Sequence, residues 1–408
     1  MESIKTPPEL LAPAGDRERL ETALLYGADA VYLAGKQFGM RSACGNFEPD
    51  ALRDAIALAH AHGTRVYVAC NILPRNRDLL FLPAFLEQVQ DAGADAIITA
   101  DLGVMALAKT YAPHCALHVS TQLGVVNYET ARQLYDSGAA RVVLARELSL
   151  EEIGEIRAKT PAGLELEAFV HGAMCMAYSG RCMLSAYMAG RDANHGDCAQ
   201  PCRWEYHLRE RRRPGEEWTA LEDEDGTYLF NAMDLCMVEH IAALDRAGIN
   251  AFKIEGRAKA AYYTAVAVNA YRAALDGYIA AGQPDNYHAA SWIREELDKI
   301  SHRPYGTGFY FGPPGQAADS GGYIQDYEVA ATAVGWENGR LQLCQRNRFA
   351  AGDRLEVLEP GRPPYPLTAL DLQDEVGISV EAAPHPMMRL SIACPRPILP
   401  GSMLRRKK

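Results

Sequence analysis

The chain has 408 residues, of which 48% are apolar, and its formal net charge is −11. A chain of this length can form two domains, and the negative charge argues against nonspecific binding to nucleic acid, because it repels phosphate. No apolar stretch approaches the roughly 18 residues that a membrane span requires. The segment "MESIKTPPEL" also lacks the basic and apolar regions of a signal peptide, so we expect a cytoplasmic protein.

Short apolar runs alternate with helix-length segments along the first part of the chain. The runs that we predict as strands lie at residues 9–15, 28–35, 65–72, 94–101, 116–122, 140–148, 164–172 and 249–257. Nearly continuous apolar runs are typical of parallel strands covered on both faces, and the segments between them show helical periodicity. Eight such units predict an α/β fold with a TIM-like (β/α)8 barrel over residues 1–300. A doubly wound sheet is the alternative, although no G-x-G-x-x-G motif follows the first strand.

The interval between the seventh and eighth predicted strands is much longer than the others, and we place a cysteine-rich insertion at residues 173–245. The insertion follows the carboxyl end of a strand, so it begins at the face where barrel enzymes keep their active sites. Residues 301–323 are rich in Pro, Gly and Tyr and are predicted to form a linker. Alternating runs with Gly-Asp and Asn-Gly turns then predict a small β-barrel or sandwich over residues 324–408.

Half of the ten cysteines lie in this insertion, at Cys175, Cys182, Cys198, Cys202 and Cys236. A reduced compartment argues against disulfides. Zinc sites usually begin with a C-x2-C or C-x4-C turn, whereas iron–sulfur clusters take four thiolates from more varied spacings. The spacing therefore favours an iron–sulfur cluster, with zinc or unligated thiols as the alternatives. Arg181 and Arg203 each adjoin a candidate ligand, where their charge would offset that of a cluster.

Several long motifs resemble the collagenase-like peptidase family U32. They are "ELLAPAGDRERLETALLYGADAVYLAG" near the start, then "EAFVHGAMCMAYSGRCMLS", "GDCAQPCRWEY", "EDEDGTYLFNAMDLC" and "FKIEGR". Within this family the chain looks most like the members that hydroxylate the wobble uridine of tRNA to 5-hydroxyuridine. The resemblance implies a 4Fe-4S cluster, a reaction without molecular oxygen, and prephenate as a co-substrate. Relatives of this kind hydroxylate a ribosomal RNA cytidine or, as a heterodimer, a ubiquinone precursor.

The resemblance also assigns the cluster ligands position by position. Cys175, Cys182 and Cys198 match ligands throughout, while the fourth ligand stands at the position of either Cys202 or Cys236. This chain has both cysteines, and the tRNA-type pattern "CRWEY" favours Cys202.

Polar residues at the predicted strand ends are further candidates, because barrel geometry points such side chains toward the mouth. We predict four of them as catalytic residues: His171, Glu255, Arg257 and Gln122. The other strand-end candidates are Asn71, Asp101, Ser120, Arg146 and Glu147. His171 is either a proton donor, a substrate contact or a structural histidine that closes the strand. Glu167 and Lys253 lie within strands and form either an ion pair or part of the catalytic site.

Two groups of side chains are candidates for binding the substrates. Forked donors suited to a dicarboxylate or an RNA phosphate are present at Arg41, Arg146 and Arg257, with internal salt bridges as the alternative. Aromatic rings that would stack on an unpaired base, or pack around the cluster, are present at Tyr178, Tyr187 and Trp204.

Three functions remain open on this basis. The first is an RNA-modifying enzyme whose partners are the anticodon region of tRNA and a small dicarboxylate, acting as a homo- or hetero-oligomer. The second is a peptidase, which would need an unusual pair such as Cys175 and His171, because the sequence contains no H-E-x-x-H or G-x-S-x-G motif. The third is a non-catalytic subunit that carries the cluster for a hydroxylation complex.

Overall fold

The computed structural model describes residues 6–40, 45–175, 177–178, 181–204, 222–223, 226–227, 232–315 and 322–408. The description does not extend to the side chains of Asn194, Arg203 and residues 222–223 and 226–227. Arg41, one of the predicted anion-binding arginines, lies outside the described residues.

Eight parallel strands form a closed barrel. They are β1 (Glu9–Pro13), β2 (Ala30–Leu33), β3 (Arg65–Cys70), β4 (Ala96–Thr99), β5 (Ala116–Val119), β6 (Arg141–Val143), β7 (Glu165–Gly172) and β8 (Ala251–Ile254). Each strand pairs with the next, and β8 pairs with both β7 and β1, which closes the ring. The predicted (β/α)8 fold class is therefore confirmed.

The described residues form ten α-helices. They are α1 (Arg17–Leu25), α2 (Pro49–Ala61), α3 (Leu82–Asp91), α4 (Leu102–Tyr111), α5 (Tyr128–Asp136), α6 (Leu150–Lys159), α7 (Leu184–Ala189), α8 (Ile241–Arg246), α9 (Ala261–Ala280) and α10 (Ser291–Leu297). All but α7, which lies in the insertion, cover the outside of the barrel. Asp16, Asp101, Asn127 and Ser149 cap four of them, because each side chain accepts a hydrogen bond from a backbone N–H in the first turn. In the described part of the chain, no helix is long and apolar enough to span a bilayer.

A network of buried charges fills the interior of the barrel below the mouth. The Lys253 ammonium lies 2.6 Å from the Glu167 carboxylate, and Arg141 lies 3.2 Å from Glu167 and 2.7 Å from Glu9. All four side chains are less than a tenth exposed. Buried charges of this kind must be paired to be tolerated. The ion pair between Glu167 and Lys253, one of the two predicted alternatives, is therefore present.

The cysteine-rich insertion separates β7 from β8, as predicted. It contains α7, and a short strand, Asp234–Cys236, that runs antiparallel to the end of β7. This strand also pairs with Tyr305–Gly306, beyond α10. Arg303 donates to the buried carboxylate of Asp234 at 2.8 Å, so this part of the predicted linker packs firmly against the insertion.

The C-terminal domain is a β structure, as predicted, and its main sheet has seven antiparallel strands. The strands of this sheet are Tyr327–Glu337, Arg340–Gln345, Arg354–Leu358, Tyr365–Thr368, Gln373–Asp374, Arg389–Ala393 and Met403–Lys407. Two further strands, Phe349–Ala350 and Ala382–Ala383, form a separate small sheet. The fully buried Arg405 joins the C-terminal domain to the barrel, because its guanidinium donates to Glu296 of α10 at 2.6 Å. Tyr26, the C-cap of α1, adds a hydrogen bond to the Leu358 carbonyl at 2.8 Å.

Candidate active site at the mouth of the barrel

A cavity of about 930 Å³, measured with its open mouth, lies at the carboxyl ends of the barrel strands. Its barrel wall includes the strand-end residues Asn71, Ser120, Gln122, Arg146, Glu255 and Arg257. Its other wall comes from the insertion and includes Cys175, Tyr178, Cys182 and Cys198. Side chains from distant parts of the sequence thus meet where barrel enzymes keep their active sites.

Three of the predicted ligand cysteines line this cavity. Cys175 is exposed, and Cys182 and Cys198 are partly exposed. In the described residues, no three His, Cys, Asp or Glu side chains are grouped as a site for one metal ion. A four-iron cluster is larger than one ion and takes its thiolates on different irons, so its ligands surround a space instead of meeting at a point. Three thiols around one cavity fit such a donor set.

Cys202 lies on a segment that packs against α7, the helix that begins two residues after Cys182. It belongs to a short 3-10 helix, Pro201–Arg203, that packs against α7. The segment before Cys202 also contacts α7, because the Ala199 N–H donates to the Ser185 hydroxyl at 2.9 Å. Cys202 is partly exposed and is not among the described residues that line the cavity.

Cys236 lies in a different environment from the other four cysteines. It is buried on the short strand opposite His171, in the outer layer against Tyr271 of α9. Burial raises the pKa of its thiol to about 11. Without a bound metal, a thiol with such a pKa stays protonated at neutral pH.

His171 does not line the cavity. Its side chain is 1% exposed and contacts the rings of Tyr263, Tyr271 and Tyr305 at centroid distances of 5.4–5.8 Å. Neither ring nitrogen has a hydrogen-bond partner among the described residues, and burial lowers the pKa of His171 to about 3. The pair of Cys175 and His171 that a cysteine peptidase would use is therefore not formed. These contacts support the alternative of a structural histidine.

Asn71, Ser120 and Gln122 form one hydrogen-bond network at the ends of β3 and β5. The Asn71 amide nitrogen donates to the Gln122 side-chain oxygen at 2.5 Å, and the Ser120 hydroxyl donates to the same oxygen at 3.2 Å. Asn71 in turn accepts from the backbone N–H of Met40 at 3.0 Å. The network holds Gln122 in place, with its side chain only 4% exposed.

Two of the three predicted arginines, Arg146 and Arg257, line the cavity together with Glu255. Arg146 stacks over the Phe169 ring at 3.9 Å, donates to the Ala173 carbonyl at 2.6 Å and lies 3.7 Å from the Glu255 carboxylate. Arg257 is 3% exposed and lines the same cavity. Among the described residues that line the cavity, the cations Arg146, Arg257 and Lys253 outnumber the single carboxylate of Glu255.

Gly172 fits the close approach between β7 and the Glu255 segment. Its φ of +109° is one that residues with a side chain rarely adopt, and a Cβ there would lie 2.5 Å from the Glu255 carbonyl oxygen.

The two arginines predicted to offset the charge of a cluster are not among the described residues that line the cavity. Arg181 is exposed in the insertion, and the Arg203 side chain lies outside the description.

Contacts between the loop after β3 and the insertion were missed at the sequence level. Arg75 lies 2.9 Å from Asp192, and His195 lies 3.4 Å from Asp78 and 3.1 Å from Asp192. These pairs hold the insertion against the rim of the barrel. No local pattern could have identified the contacts of Arg75 with Asp192 and of Asp78 with His195, because these partners are 117 residues apart.

The chain is similar to known proteins along nearly its whole length. Residues 15–320 match peptidase family U32, and residues 325–405 match the U32 C-terminal domain. The chain is 36% identical to tRNA hydroxylation protein P1 of Bacillus subtilis, over 99% of this chain and 96% of that protein. It is 37% identical to tRNA hydroxylation protein P of Escherichia coli, over 86% of both chains.

A more distant relative acts on another RNA. The chain is 36% identical to a 23S rRNA 5-hydroxycytidine synthase of Escherichia coli, over 66% of this chain and 40% of that protein. The two family matches cover both the barrel and the β domain. The chain therefore belongs to peptidase family U32.

Proposed function

We propose that this protein is an RNA-modifying enzyme that hydroxylates the wobble uridine of tRNA to 5-hydroxyuridine at the mouth of the barrel. The observation that carries the proposal is the shared cavity, in which Cys175, Cys182 and Cys198 face a wall of amides, arginines and Glu255. Relatives that are 36% and 37% identical over most of their length are tRNA hydroxylation proteins. A relative named as an rRNA 5-hydroxycytidine synthase extends the chemistry to carbon 5 of a second pyrimidine.

The cofactor in this proposal is a 4Fe-4S cluster held by Cys175, Cys182, Cys198 and Cys202. Cys202 is preferred over Cys236 because its helix packs on α7, directly after Cys182, whereas Cys236 is buried in the outer layer. The cluster would supply electron transfer or polarise a bound group at the mouth. Zinc in the same thiol set is the alternative metal.

The barrel wall supplies the binding groups for a small anionic co-substrate. Arg146 and Arg257 line the cavity, and their planar donors suit a carboxylate. A small dicarboxylate such as prephenate fits this charge, and its use accords with a reaction that needs no molecular oxygen. The stacking of Arg146 on Phe169 and its hydrogen bond to Ala173 fix the direction of its donors.

The insertion supplies a surface for the RNA. Tyr178, Tyr187 and Trp204 are 49%, 83% and 41% exposed, and Tyr178 lines the cavity itself. Exposed aromatic rings bind unpaired bases by stacking. A wobble base is already single-stranded, so moving it into the cavity costs little unstacking energy.

Mass spectrometry of tRNA nucleosides tests the proposal. A strain that lacks this gene and any paralogue should lose 5-hydroxyuridine derivatives, and the wild-type gene should restore them. Cys182→Ala should not restore them, while Cys115→Ala, which alters a buried thiol far from the insertion, should. Unchanged 5-hydroxyuridine in the deletion strain would rule out the proposed function. In that case, cleavage of gelatin by the purified protein would favour a peptidase instead.

A further inference from the structure

The amide of Gln122 presents one specific group to the cavity. Its side-chain oxygen already accepts hydrogen bonds from Asn71 and Ser120. Its amide nitrogen is buried and has no hydrogen-bond partner among the described residues. Gln122 lines the cavity and its oxygen is turned toward Asn71 and Ser120, so the amide nitrogen is the end of this side chain left without a partner. A buried N–H group without a partner carries a free-energy cost until an acceptor binds.

The backbone fixes which end of the Gln122 amide is left without a partner. The Met40 N–H can only donate, so the atom of Asn71 that it contacts at 3.0 Å must be the oxygen. The other Asn71 atom is then the NH2 group, which can only donate, and its partner on Gln122 must be the oxygen. The orientation therefore follows from a chain of contacts that starts at a main-chain donor.

We propose that Gln122 is a specificity-determining residue that donates this N–H to the O4 carbonyl oxygen of a uracil base. This inference rests on the proposed function and names the contact by which the base is read. Uracil carries a carbonyl at carbon 4, whereas cytosine carries an amino group there, which would face the Gln122 donor without an acceptor. Carbon 5 is bonded to carbon 4, so a contact at O4 also holds the reacting carbon at the depth of this network.

The size of the preference follows from the chemistry of a buried polar group. A site that leaves a buried donor unsatisfied discriminates by about 10- to 100-fold. The same donor would also suit a carboxylate oxygen of a small co-substrate. Two RNAs that differ only in the wobble base distinguish these two acceptors, because only an acceptor on the base differs between them.

Two substitutions change the donor into an acceptor by different routes. Gln122→Glu replaces the NH2 group by a carboxylate oxygen. Asn71→Asp keeps the oxygen that accepts from Met40 but removes the NH2 group, so Gln122 must turn its nitrogen toward residue 71 and its oxygen toward the cavity. Gln133→Glu makes the same chemical change on the exposed face of α5 and serves as the control.

The experiment measures the affinity of the anaerobically purified protein for two anticodon stem-loop RNAs with uridine or cytidine at the wobble position. Wild type and Gln133→Glu should prefer uridine by at least about tenfold, and Gln122→Glu and Asn71→Asp should each lower that ratio by about tenfold or more. Thermal unfolding of the same samples shows whether each variant is folded. Because a ratio cancels a general loss of binding, a merely structural role of Gln122 would leave it unchanged.

The outcomes separate this inference from the proposed function. If wild-type protein restores 5-hydroxyuridine in the deletion strain but the uridine-to-cytidine ratio is the same in wild type and both variants, the role of Gln122 is refuted alone. An unchanged ratio together with weaker binding of a small dicarboxylate would assign the donor to the co-substrate instead. If wild type restores no 5-hydroxyuridine, the proposed function itself fails.

Discussion

The buried carboxylate of Glu167 allows a quantitative test of how the barrel interior is stabilised. Its side chain is fully buried and lies 2.6 Å from the Lys253 ammonium and 3.2 Å from the Arg141 guanidinium. Glu167→Gln preserves the shape of the side chain but leaves Lys253 without a carboxylate partner at that distance. Removing one partner of a buried ion pair costs about 3–5 kcal/mol, so we expect the free energy of unfolding to fall by that amount.

Glu165 provides a matched control on the same strand. Its carboxylate lies 2.6 Å from Arg141, the same cation that Glu167 contacts, but its side chain is 46% exposed. Solvent screens an exposed pair and reduces its contribution to about 0–1 kcal/mol. Glu165→Gln should therefore lower the free energy of unfolding by no more than about 1 kcal/mol.

Urea unfolding followed by circular dichroism under anaerobic conditions measures both changes. The slope of the unfolding free energy against urea concentration should be equal in the two variants, because neither substitution changes the surface that unfolding exposes. The difference then appears in the midpoint alone. A loss for Glu167→Gln that is no larger than the loss for Glu165→Gln would refute the reasoning.

The remaining predictions concern the cluster, the pH dependence of stability and the RNA surface. Cys202→Ala should lower the iron content of anaerobically purified protein, whereas Cys236→Ala should leave it unchanged; equal losses would contradict the ligand assignment. Burial lowers the pKa of His171 to about 3 from an ordinary value of 6.5, so its contribution to stability is present above pH 6.5 and is lost as the pH falls toward 3. His171→Phe should therefore flatten the fall in unfolding free energy by about 1.4 kcal/mol per pH unit over that range, and equal slopes in both proteins would count against it. Tyr187→Ala and Trp204→Ala should each weaken binding of anticodon stem-loop RNA by about 1–3 kcal/mol, and unchanged affinity would exclude a stacking role.

The barrel could be predicted from the sequence because its strands are covered on both faces. Each strand then reads as an apolar run, and the runs stand out from the periodic helices between them. Exact ends are less predictable, as β4 illustrates. The predicted run covers residues 94–101, while the strand is Ala96–Thr99. The apolar run is longer than the strand because Ala100 is buried although it is outside the sheet, and Asp101 already caps α4. Burial therefore extends past the ladder of hydrogen bonds.

The strand-end rule also placed much of the cavity wall. Asn71, Gln122, Arg146 and Glu255 were predicted at the mouth because side chains at the carboxyl ends of barrel strands converge there, and all four line the cavity. The orientation of the hydrogen bond between Asn71 and Gln122 depends on a loop contact from the Met40 N–H. Contacts of this kind depend on the packing of loops, so no spacing along the sequence predicts them.

The direction of His171 shows how a single irregularity changes a site. Side chains alternate along a strand, so a period of two that places Phe169 in the cavity predicts His171 there as well. The register shifts at this point, because Lys253 pairs with Phe169 while the next residue, Ile254, pairs with His171. Val170 is thus an extra residue in β7. A bulge of this kind re-aims the side chains that follow it, and His171 faces the helices outside the barrel.

The bulge decides which groups remain for proton transfer at the mouth. With His171 turned away, no histidine is among the described residues that line the cavity, and Glu255 is the one carboxylate there. Arg146 lies 3.7 Å from that carboxylate and is itself held by Phe169 and the Ala173 carbonyl. A general base must be held within reach of the proton that it takes. In the proposed reaction Glu255, the ion-pair partner of Arg146, would take this role, because the irregularity that turns the histidine away leaves this carboxylate on the cavity wall.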